Sequence, residues 1–377
     1  MTSTTNPKLP SRAADRSGID RLLADFDAGS VAALARAVSV VENHRAGFDR
    51  LLGALHPRTG RARRVGLTGP PGAGKSTLTT HLAAAYRAAG LKVGVLAVDP
   101  TSPFTGGALL GDRIRMESVA LDPGVFIRSM ATRGSLGGLA AATREVADVL
   151  DAFGMDRVLI ETVGVGQSEL DIARTADTTV VILVPESGDS IQTLKAGLME
   201  IADVFVVNKA DRPGADRLRH ELEVMLGLRS GHALKHVPAH HGVDLGRPMT
   251  RDEKLAMNPA RAAREAARDD GGSWTPPVLR AVASQDEGIA DVAAALERHY
   301  GYLEATGGLR ERRRLRLRER VIDVVEDKVR RRLWTDASTN EWLDARLPAL
   351  EAGSANPFEV ADELLARSAD ILTRTPQ

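Results

Sequence analysis

The stretch that decides the fold reads Gly69-Pro70-Pro71-Gly72-Ala73-Gly74-Lys75-Ser76. It matches every fixed position of the pattern G-x-x-x-x-G-K-[ST], the P-loop, which binds phosphate between a strand and a helix. Both neighbours are present, because residues 64–68 form a short strand-like run and residues 77–85 are typical of a helix. The stretch therefore predicts a phosphate-binding site. The alternative is a glycine-rich turn that binds nothing.

The residues of this loop have separate expected roles. Its backbone N–H groups are expected to face phosphate oxygens at the positive end of the following helix. Lys75 is expected to reach the β- and γ-phosphates, which makes it a candidate catalytic residue, and Ser76 is expected to ligate Mg²⁺. The predicted phosphate-binding residues are Gly69, Gly72, Ala73, Gly74, Lys75, Ser76 and Thr77.

Length and composition limit the kinds of protein that this chain can be. The chain has 377 residues, 43% of them apolar, which suits two or three domains with a substantial core. Its 50 basic and 50 acidic residues balance, so charge gives no reason to expect a nucleic acid or a membrane as partner. The sequence contains no cysteine, no apolar run of membrane-spanning length and no secretory signal. These features predict a cytoplasmic protein.

Residues 1–63 are expected to lie outside the nucleotide-binding domain. Residues 1–18 are polar and contain two prolines, so we expect a disordered arm, with order beginning near Ile19. Residues 19–55 predict two amphipathic helices, one of them capped by Ser30. The apolar residues at helical spacing after this cap are Val31, Leu34, Val38 and Val41.

Strand-like and helical segments alternate from Val65 onward. The apolar runs are rich in Val, Ile and Leu without regular polar alternation, as expected for strands that are covered on both faces. The predicted fold is α/β, with a mostly parallel sheet over residues 64–305 and helical extensions at both ends. The predicted strands after the first are Lys92–Val98, Val125–Ile127, Arg157–Glu161, Thr179–Val184, Val204–Val207 and Pro277–Arg280.

Acidic residues follow these runs, where parallel α/β sheets bind their ligands. Asp99 follows one strand, Asp112 follows a glycine-bearing loop, and Glu161 ends another strand. Together with Ser76 they are candidate Mg²⁺ ligands, because this ion prefers oxygen. Glu161 and Asp112 also join Lys75 as candidate catalytic residues. The alternatives are a helix cap for Asp99, a surface position for Asp112 and a plain strand end for Glu161.

The residues after Glu161 predict slow hydrolysis. Gly164 is placed to meet the γ-phosphate with its N–H group. In Ras-like enzymes a glutamine directly after this glycine orients the attacking water, but here the position holds Val165. A valine side chain forms no hydrogen bond, and Gln167 lies two residues further on. We therefore expect slow intrinsic turnover unless a partner completes the site.

The sequence Asn208-Lys209-Ala210-Asp211 follows a predicted strand and indicates selection of guanine. The Asp211 carboxylate can accept hydrogen bonds from N1 and N2 of guanine, which adenine cannot offer, and Lys209 can lie over the base. These residues predict binding of GTP and GDP. A later loop containing Ala283 and Ser284 is a candidate source of backbone N–H groups for guanine O6, although an ordinary turn is an equal alternative.

With these motifs the chain resembles the MeaB/ArgK/MMAA-type P-loop GTPases, chaperones of adenosylcobalamin-dependent acyl-CoA mutases. The resemblance implies a homodimer that uses GTP to gate cofactor loading and to protect or reactivate a mutase of the methylmalonyl-CoA type. It rests on residues 69–77, 98–102, 111–116, 161–169, 186–192 and 201–211, with further similarity at 33–42 and 356–361. The most family-specific piece is Glu-Thr-Val-Gly-Val-Gly-Gln-Ser-Glu, which begins at Glu161.

Two segments depart from this resemblance or extend it. The family usually has Gly-Ile-Lys-Lys-Gly where this chain has Thr193-Leu194-Lys195-Ala196-Gly197. One contact of the family's nucleotide-sensing switch is therefore not assigned to this chain. Residues 229–272 are expected to form an insertion. Three of its histidines lie four apart, at His232, His236 and His240, but Pro238 interrupts a metal-binding helix. A solvated insertion is favoured over a metal or partner site.

The C-terminal region, residues 306–377, is expected to be a helical dimerisation region. A long helix begins near Arg310 with a basic segment and continues with Ile322, Val325, Val329 and Leu333 on one stripe. Two alternative functions stay open, a metal-insertion GTPase and a P-loop kinase. The first usually carries Cys and His clusters, and the second would leave the guanine motif unexplained.

Overall fold

A computed structural model describes residues 12–99, 116–131, 138–162, 172–185, 197–229 and 274–368. The chain divides into two compact units, Met1–Glu311 and Arg312–Gln377. Several predicted features lie outside the described residues: residues 1–11 of the arm, Asp112, the segment from Gly164 to Gln167, residues 186–196 and residues 230–272 of the insertion.

The first unit is built on a seven-stranded sheet with the order β3-β2-β4-β1-β5-β6-β7. Every neighbouring pair is parallel, which confirms the predicted α/β fold. β1, which leads into the P-loop, lies at the centre of the sheet. The strands are β1 Arg63–Thr68, β2 Val93–Asp99, β3 Val125–Ala131, β4 Arg157–Thr162, β5 Thr178–Leu183, β6 Val204–Val207 and β7 Val278–Arg280.

The helices precede, connect and follow these strands. Short 3₁₀ turns occur at His56–Arg58, Ile172–Arg174 and Ala283–Gln285. The α-helices are α1 Arg12–Asp27, α2 Val31–Glu42, α3 Phe48–Leu55, α4 Lys75–Ala88, α5 Glu117–Ala120, α6 Gly138–Ala152, α7 Met199–Ile201, α8 Ala215–Arg229, α9 Ile289–Thr306, α10 Gly308–Thr335, α11 Ala337–Asp344, α12 Leu347–Glu351 and α13 Pro357–Arg367.

The N-terminal helices differ from the prediction. Between residues 12 and 55, which the structure describes, there are three helices instead of two, and α1 already includes Arg12 although order was expected to begin near Ile19. The predicted second helix stops at Glu42, and the chain turns through two residues with positive φ, His44 and Gly47, before α3. Ser30 caps α2 as predicted, since its hydroxyl accepts a hydrogen bond from Ala33 N at 3.3 Å.

The predicted stripe on α2 is correct except at its first residue. Leu34, Val38 and Val41 are fully buried, whereas Val31 is 55% exposed. A residue in the first turn lies at the end of the helix, where fewer neighbours cover the apolar face. Helical spacing alone therefore overestimates its burial.

The sheet is covered on both faces because successive strand residues point to opposite sides. In β5, Val180 and Ile182 pack in a core with α4 and α9. Val181 and Leu183 face the other way, toward α7 and α8. On that second face, α1, α2 and α3 pack with α6 over β2 and β4.

A largely buried ion-pair network fixes the amino end of β1. The Arg64 guanidinium donates to Asp148 at 2.7 Å and to Asp151 at 3.1 Å. Asp151, fully buried, also accepts the backbone N–H groups of Gly60, Arg61 and Ala62 at 2.7 to 3.1 Å. Burial opposes the charged form of Arg64, but the carboxylates of Asp148 and Asp151 outweigh it and raise the pKa of Arg64 above its ordinary value.

A second ion-pair cluster at the same edge attaches α9 to the sheet. Glu297 on α9 pairs with Arg63 at the start of β1 and with Arg157 at the start of β4, the latter at 2.8 Å. The Arg63 guanidinium also lies over the Tyr300 ring, 3.9 Å from its centroid. Each of these contacts joins α9 to the amino end of a central strand.

The second unit is helical, and α10 continues into it from the end of the first. The predicted stripe on α10 is buried only at Leu333, while Ile322, Val325 and Val329 are exposed. The apolar face, which we define by its exposed residues, consists of Leu315, Leu317, Val321, Ile322, Val324, Val325 and Val329. No helix in the described part of the chain is long and apolar enough to cross a membrane.

Candidate nucleotide-binding site

The P-loop connects the carboxyl end of β1 to the first turn of α4. Gly69 has φ +142°, and a Cβ atom there would lie 2.0 Å from the carbonyl oxygen of Ile182 in β5. Gly74 has φ +85°, and its Cβ would lie 2.3 Å from Asn208 Nδ2. Only glycine fits these two positions, because the loop turns sharply and the neighbouring groups lie so close.

Lys75 is the first residue of α4 and lies largely inside the protein, with 7% of its surface exposed. Its ammonium group donates to the carbonyl oxygens of Gly69 at 2.7 Å and Pro70 at 3.0 Å. These bonds hold the cation over its own loop, next to the N–H groups at the start of α4. The arrangement places positive charge where a phosphate would bind.

Glu161, the predicted acidic residue at the end of β4, is fully buried against α4. Its Oε1 accepts a hydrogen bond from the Ser76 hydroxyl at 3.0 Å, and its Oε2 accepts one from the Thr79 hydroxyl at 2.7 Å. The predicted Ser76 and Glu161 therefore meet, although 85 positions separate them. Thr79 was not predicted. Its position one helical turn after Ser76 was the available signal.

Asn208 joins the guanine motif to the P-loop. Its amide nitrogen donates to the Ala73 carbonyl at 2.8 Å, and its amide oxygen accepts the Ala283 N–H at 3.0 Å. Asn208 is buried, whereas Asp211 is exposed. Lys209 has φ +54°, an uncommon value for a residue other than glycine. The backbone therefore changes direction at Lys209, and the side chains before and after it face different surroundings.

Backbone bonds place this turn beside the loop after β7. Ala210 N donates to the Ala281 carbonyl at 3.0 Å, and Ala281 N donates to the Val207 carbonyl at 2.9 Å. The predicted Asn208, Lys209, Asp211, Ala283 and Ser284 are thus close in the chain's fold. A base bound by Asp211 would lie next to the 3₁₀ turn Ala283–Gln285.

The remaining predicted metal ligands are described only in part. The backbone of Asp99 ends β2, beside β4, with its register partner at Ala131 in β3. Its side chain and the whole of Asp112 lie outside the described residues. Among the described residues, no group of three His, Asp or Glu side chains is arranged to hold a metal ion. Ser76 and Glu161 are the predicted oxygen ligands whose contacts the structure gives.

Comparison with known proteins assigns the chain to a family. A protein-family model described as "Methylmalonyl Co-A mutase-associated GTPase MeaB" matches residues 34–338. The chain belongs to this MeaB family. It is accordingly a P-loop GTPase, which agrees with the guanine motif and with the assembled P-loop.

Relatives of this MeaB-family chain cover most of its length. A Pyrococcus abyssi protein named as a GTPase is 43% identical over 347 residues, 92% of this chain and 96% of the relative. The mitochondrial "Methylmalonic aciduria type A homolog" of Mus musculus is 30% identical over 92% of this chain and 79% of its own length. A crystal structure titled as an LAO/AO transport system kinase has a TM-score of 0.60 and 27% identity, over 95% of this chain and 99% of that chain.

Proposed function

We propose that this GTPase binds GTP and GDP with Mg²⁺ and uses the nucleotide to regulate an adenosylcobalamin-dependent acyl-CoA mutase of the methylmalonyl-CoA type. The observation that carries the proposal is the family match over residues 34–338, since that family is described by its association with methylmalonyl-CoA mutase. In this function GTP gates cofactor loading and protects or reactivates the mutase.

The phosphates would bind at the P-loop. Lys75 lies at the start of α4 and can exchange its carbonyl partners for phosphate oxygens. The proposed loop residues around the phosphates are Gly69, Gly72, Ala73, Gly74, Lys75, Ser76 and Thr77. Backbone N–H groups supply most of this cradle, so the loop conformation matters more than the side chains.

The base would bind between Asp211 and the loop after β7. Asp211 is exposed and can accept from N1 and N2 of guanine, while Lys209 lies two residues earlier in the same turn. The Ala283 N–H already donates to Asn208, so we propose that Ser284 N–H approaches guanine O6. Asn208 would hold the base-binding turn and the phosphate loop at a fixed distance from each other.

The described oxygen donors, Ser76 at the start of α4 and Glu161 at the end of β4, fit a magnesium site. Ser76 Oγ and Glu161 Oε1 are oxygen atoms 3.0 Å apart in a partly buried setting, which suits a small, hard cation. Asp99 and Asp112 are the further proposed ligands. When bound, Mg²⁺ would neutralise charge on the β- and γ-phosphates. We propose Glu161, with Lys75 and Asp112, as the residues closest to the reacting phosphate.

The test of the proposed function is GTP turnover with and without purified methylmalonyl-CoA mutase. We expect slow turnover by the protein alone and a marked increase with the mutase, because a missing catalytic part supplied by a partner is worth about 10³ to 10⁵ in rate. ATP should not be a substrate. Lys75→Ala serves as the control, since it should show no increase. Fast turnover alone, or no response to the mutase, would contradict the proposal.

We further propose that the chain is a homodimer formed through the apolar face of α10. That face carries seven exposed aliphatic side chains, including Val321 at 64% and Val325 at 53%. Soluble monomers rarely leave such a contiguous face in water. Val321→Glu with Val325→Glu should halve the mass measured by light scattering. Leu121→Glu, at an isolated site that is 92% exposed, should leave the mass unchanged. A monomeric wild-type chain would refute this proposal.

A further inference from the structure

We infer that Thr79 is a positioning residue for the GTPase reaction, because it fixes one oxygen of the Glu161 carboxylate and thereby directs the other toward Ser76. Thr79 and Ser76 lie three residues apart on α4, so their side chains project from the same side of the helix. Each donates to a different oxygen of the same carboxylate. This inference rests on the proposed role of Ser76 and Glu161 as magnesium ligands.

Of the two hydrogen bonds to Glu161, the one from Thr79 is the shorter and the more deeply buried. It is 2.7 Å long and joins two side chains that are both fully buried, whereas the Ser76 contact is 3.0 Å long. The Thr79 hydroxyl also lies 2.9 Å from the Lys75 carbonyl. A hydroxyl has one proton to donate, and the charged carboxylate is the stronger and nearer acceptor.

The consequence for a bound cation follows from the geometry. Thr79 holds Oε2 away from the Ser76 side, which leaves Oε1 facing the Ser76 hydroxyl. A carboxylate fixed in this way offers one oxygen in a set orientation, which a small octahedral ion requires. Without the Thr79 hydroxyl, Oε2 loses this hydrogen bond and the carboxylate is less firmly oriented. Groups that orient a metal ligand without touching the metal typically have large effects on metal affinity.

Thr80 provides a matched control. Its hydroxyl donates to the Ser76 carbonyl at 2.8 Å, the same kind of contact one turn back along the helix that Thr79 makes with Lys75. Both threonines are buried. Replacing either by valine removes, at nearly constant volume, a buried hydroxyl that lies within hydrogen-bond distance of a carbonyl one turn back. Only the replacement at Thr79 removes a contact with Glu161.

The experiment titrates MgCl₂ against the full-length protein loaded with a fluorescent GDP analogue, so that no turnover is needed. Thr79→Val should raise the half-saturating MgCl₂ concentration by about 10- to 100-fold. Thr80→Val should match wild type, and Thr79→Ser, which keeps the hydroxyl, should restore most of the affinity. GTP turnover should fall through kcat more than through KM. Thr79→Ala provides the same measurement if the valine variant does not fold.

Two results would overturn the inference, and they differ in meaning. Equal magnesium affinity for Thr79→Val and Thr80→Val, with a normal response of the wild type, would remove Thr79 from the site and leave the proposed function intact. A wild-type protein whose nucleotide binding does not respond to MgCl₂ at all would overturn the inference together with the proposed metal site.

Discussion

The two ends of the central strand β1 hold buried charges in different ways. At the amino end, Arg64 is surrounded by carboxylates, with Asp148 at 2.7 Å and Asp151 at 3.1 Å. At the carboxyl end, Lys75 is held by two backbone carbonyl oxygens and Glu161 by two hydroxyl groups. All of these contacts have ordinary hydrogen-bond lengths, but only the first set joins opposite charges.

This difference distinguishes the amino edge of the sheet, where the charges stabilise the fold, from the carboxyl edge, where the proposed site lies. Opposite charges in contact cancel one another and stabilise one conformation, and removing one partner leaves the other charge buried. Neutral carbonyl and hydroxyl groups orient a charged side chain without cancelling its charge. Neutral groups thus help to position Lys75 and Glu161, which suits their proposed roles in binding phosphate and a cation.

The largest expected effect is the loss of stability in Asp151→Ala at the amino edge. The substitution removes one of the two carboxylates that pair with Arg64 and the acceptor of three backbone N–H groups, so unfolding should become easier by about 3 to 5 kcal/mol. Urea denaturation measures this change. Asp25→Ala is the control, because Asp25 pairs with Arg36 on the surface and should cost less than about 1 kcal/mol. Similar costs for both variants would remove the distinction between a structural network and a surface ion pair.

The next effect concerns the carboxyl edge, where Lys75→Ala should affect activity more than stability. Loss of this cation should lower GTP turnover by about 10²- to 10³-fold, as removal of a group that stabilises transition-state charge does. The urea midpoint should shift less than in Asp151→Ala, because the substitution removes hydrogen bonds to two neutral backbone carbonyl oxygens, those of Gly69 and Pro70. Lys92→Ala, at an exposed lysine before β2, should retain wild-type turnover. If Lys75→Ala unfolds like Asp151→Ala, the two edges do not differ as described.

The smallest expected effect concerns Tyr86, a buried residue of α4. It lies near the ion-pair cluster that Glu297 forms with Arg63 and Arg157 at the amino end of the central strands. Its hydroxyl has no hydrogen-bond partner among the described residues. Burial, followed by the charge of Glu297, raises the pKa of Tyr86 to about 12, against about 10 for an unfolded chain. The folded chain resists ionisation of this phenol, so its titration leaves stability unchanged below pH 10 and lowers it as the pH rises through 12. The loss amounts to about 2 to 3 kcal/mol.

Tyr86→Phe should therefore weaken the alkaline loss of stability between pH 10 and pH 12, measured by urea denaturation at several pH values. At pH 7 the variant should be as stable as wild type or slightly more stable, because it removes an unpartnered buried hydroxyl. The Arg157 guanidinium, 5.2 Å from the ring centroid, can keep its contact with a phenylalanine ring. Tyr302→Phe, at a half-buried tyrosine, is the control. An unchanged alkaline transition in Tyr86→Phe would contradict the assignment.

The sequence by itself determined the fold class, the order of strands and helices along the chain and the motifs that bind nucleotide. These features are local. The P-loop and the guanine motif each lie within eight residues or fewer, and Val-rich runs predict buried strands wherever they occur. For the same reason Glu161 was predictable, since an acidic residue at the end of such a run falls at the ligand-binding edge.

Only the tertiary structure decided which of these residues meet and which apolar residues are covered. The Thr79–Glu161 and Asn208–Ala73 contacts span 82 and 135 positions, and both depend on the order in which the strands pair. Helical spacing predicted the stripe on α10 but not its exposure, because burial depends on what packs against a helix. Arg64 looked like any basic residue in the sequence, and Asp148 and Asp151, more than 80 positions away, made it a buried ion pair.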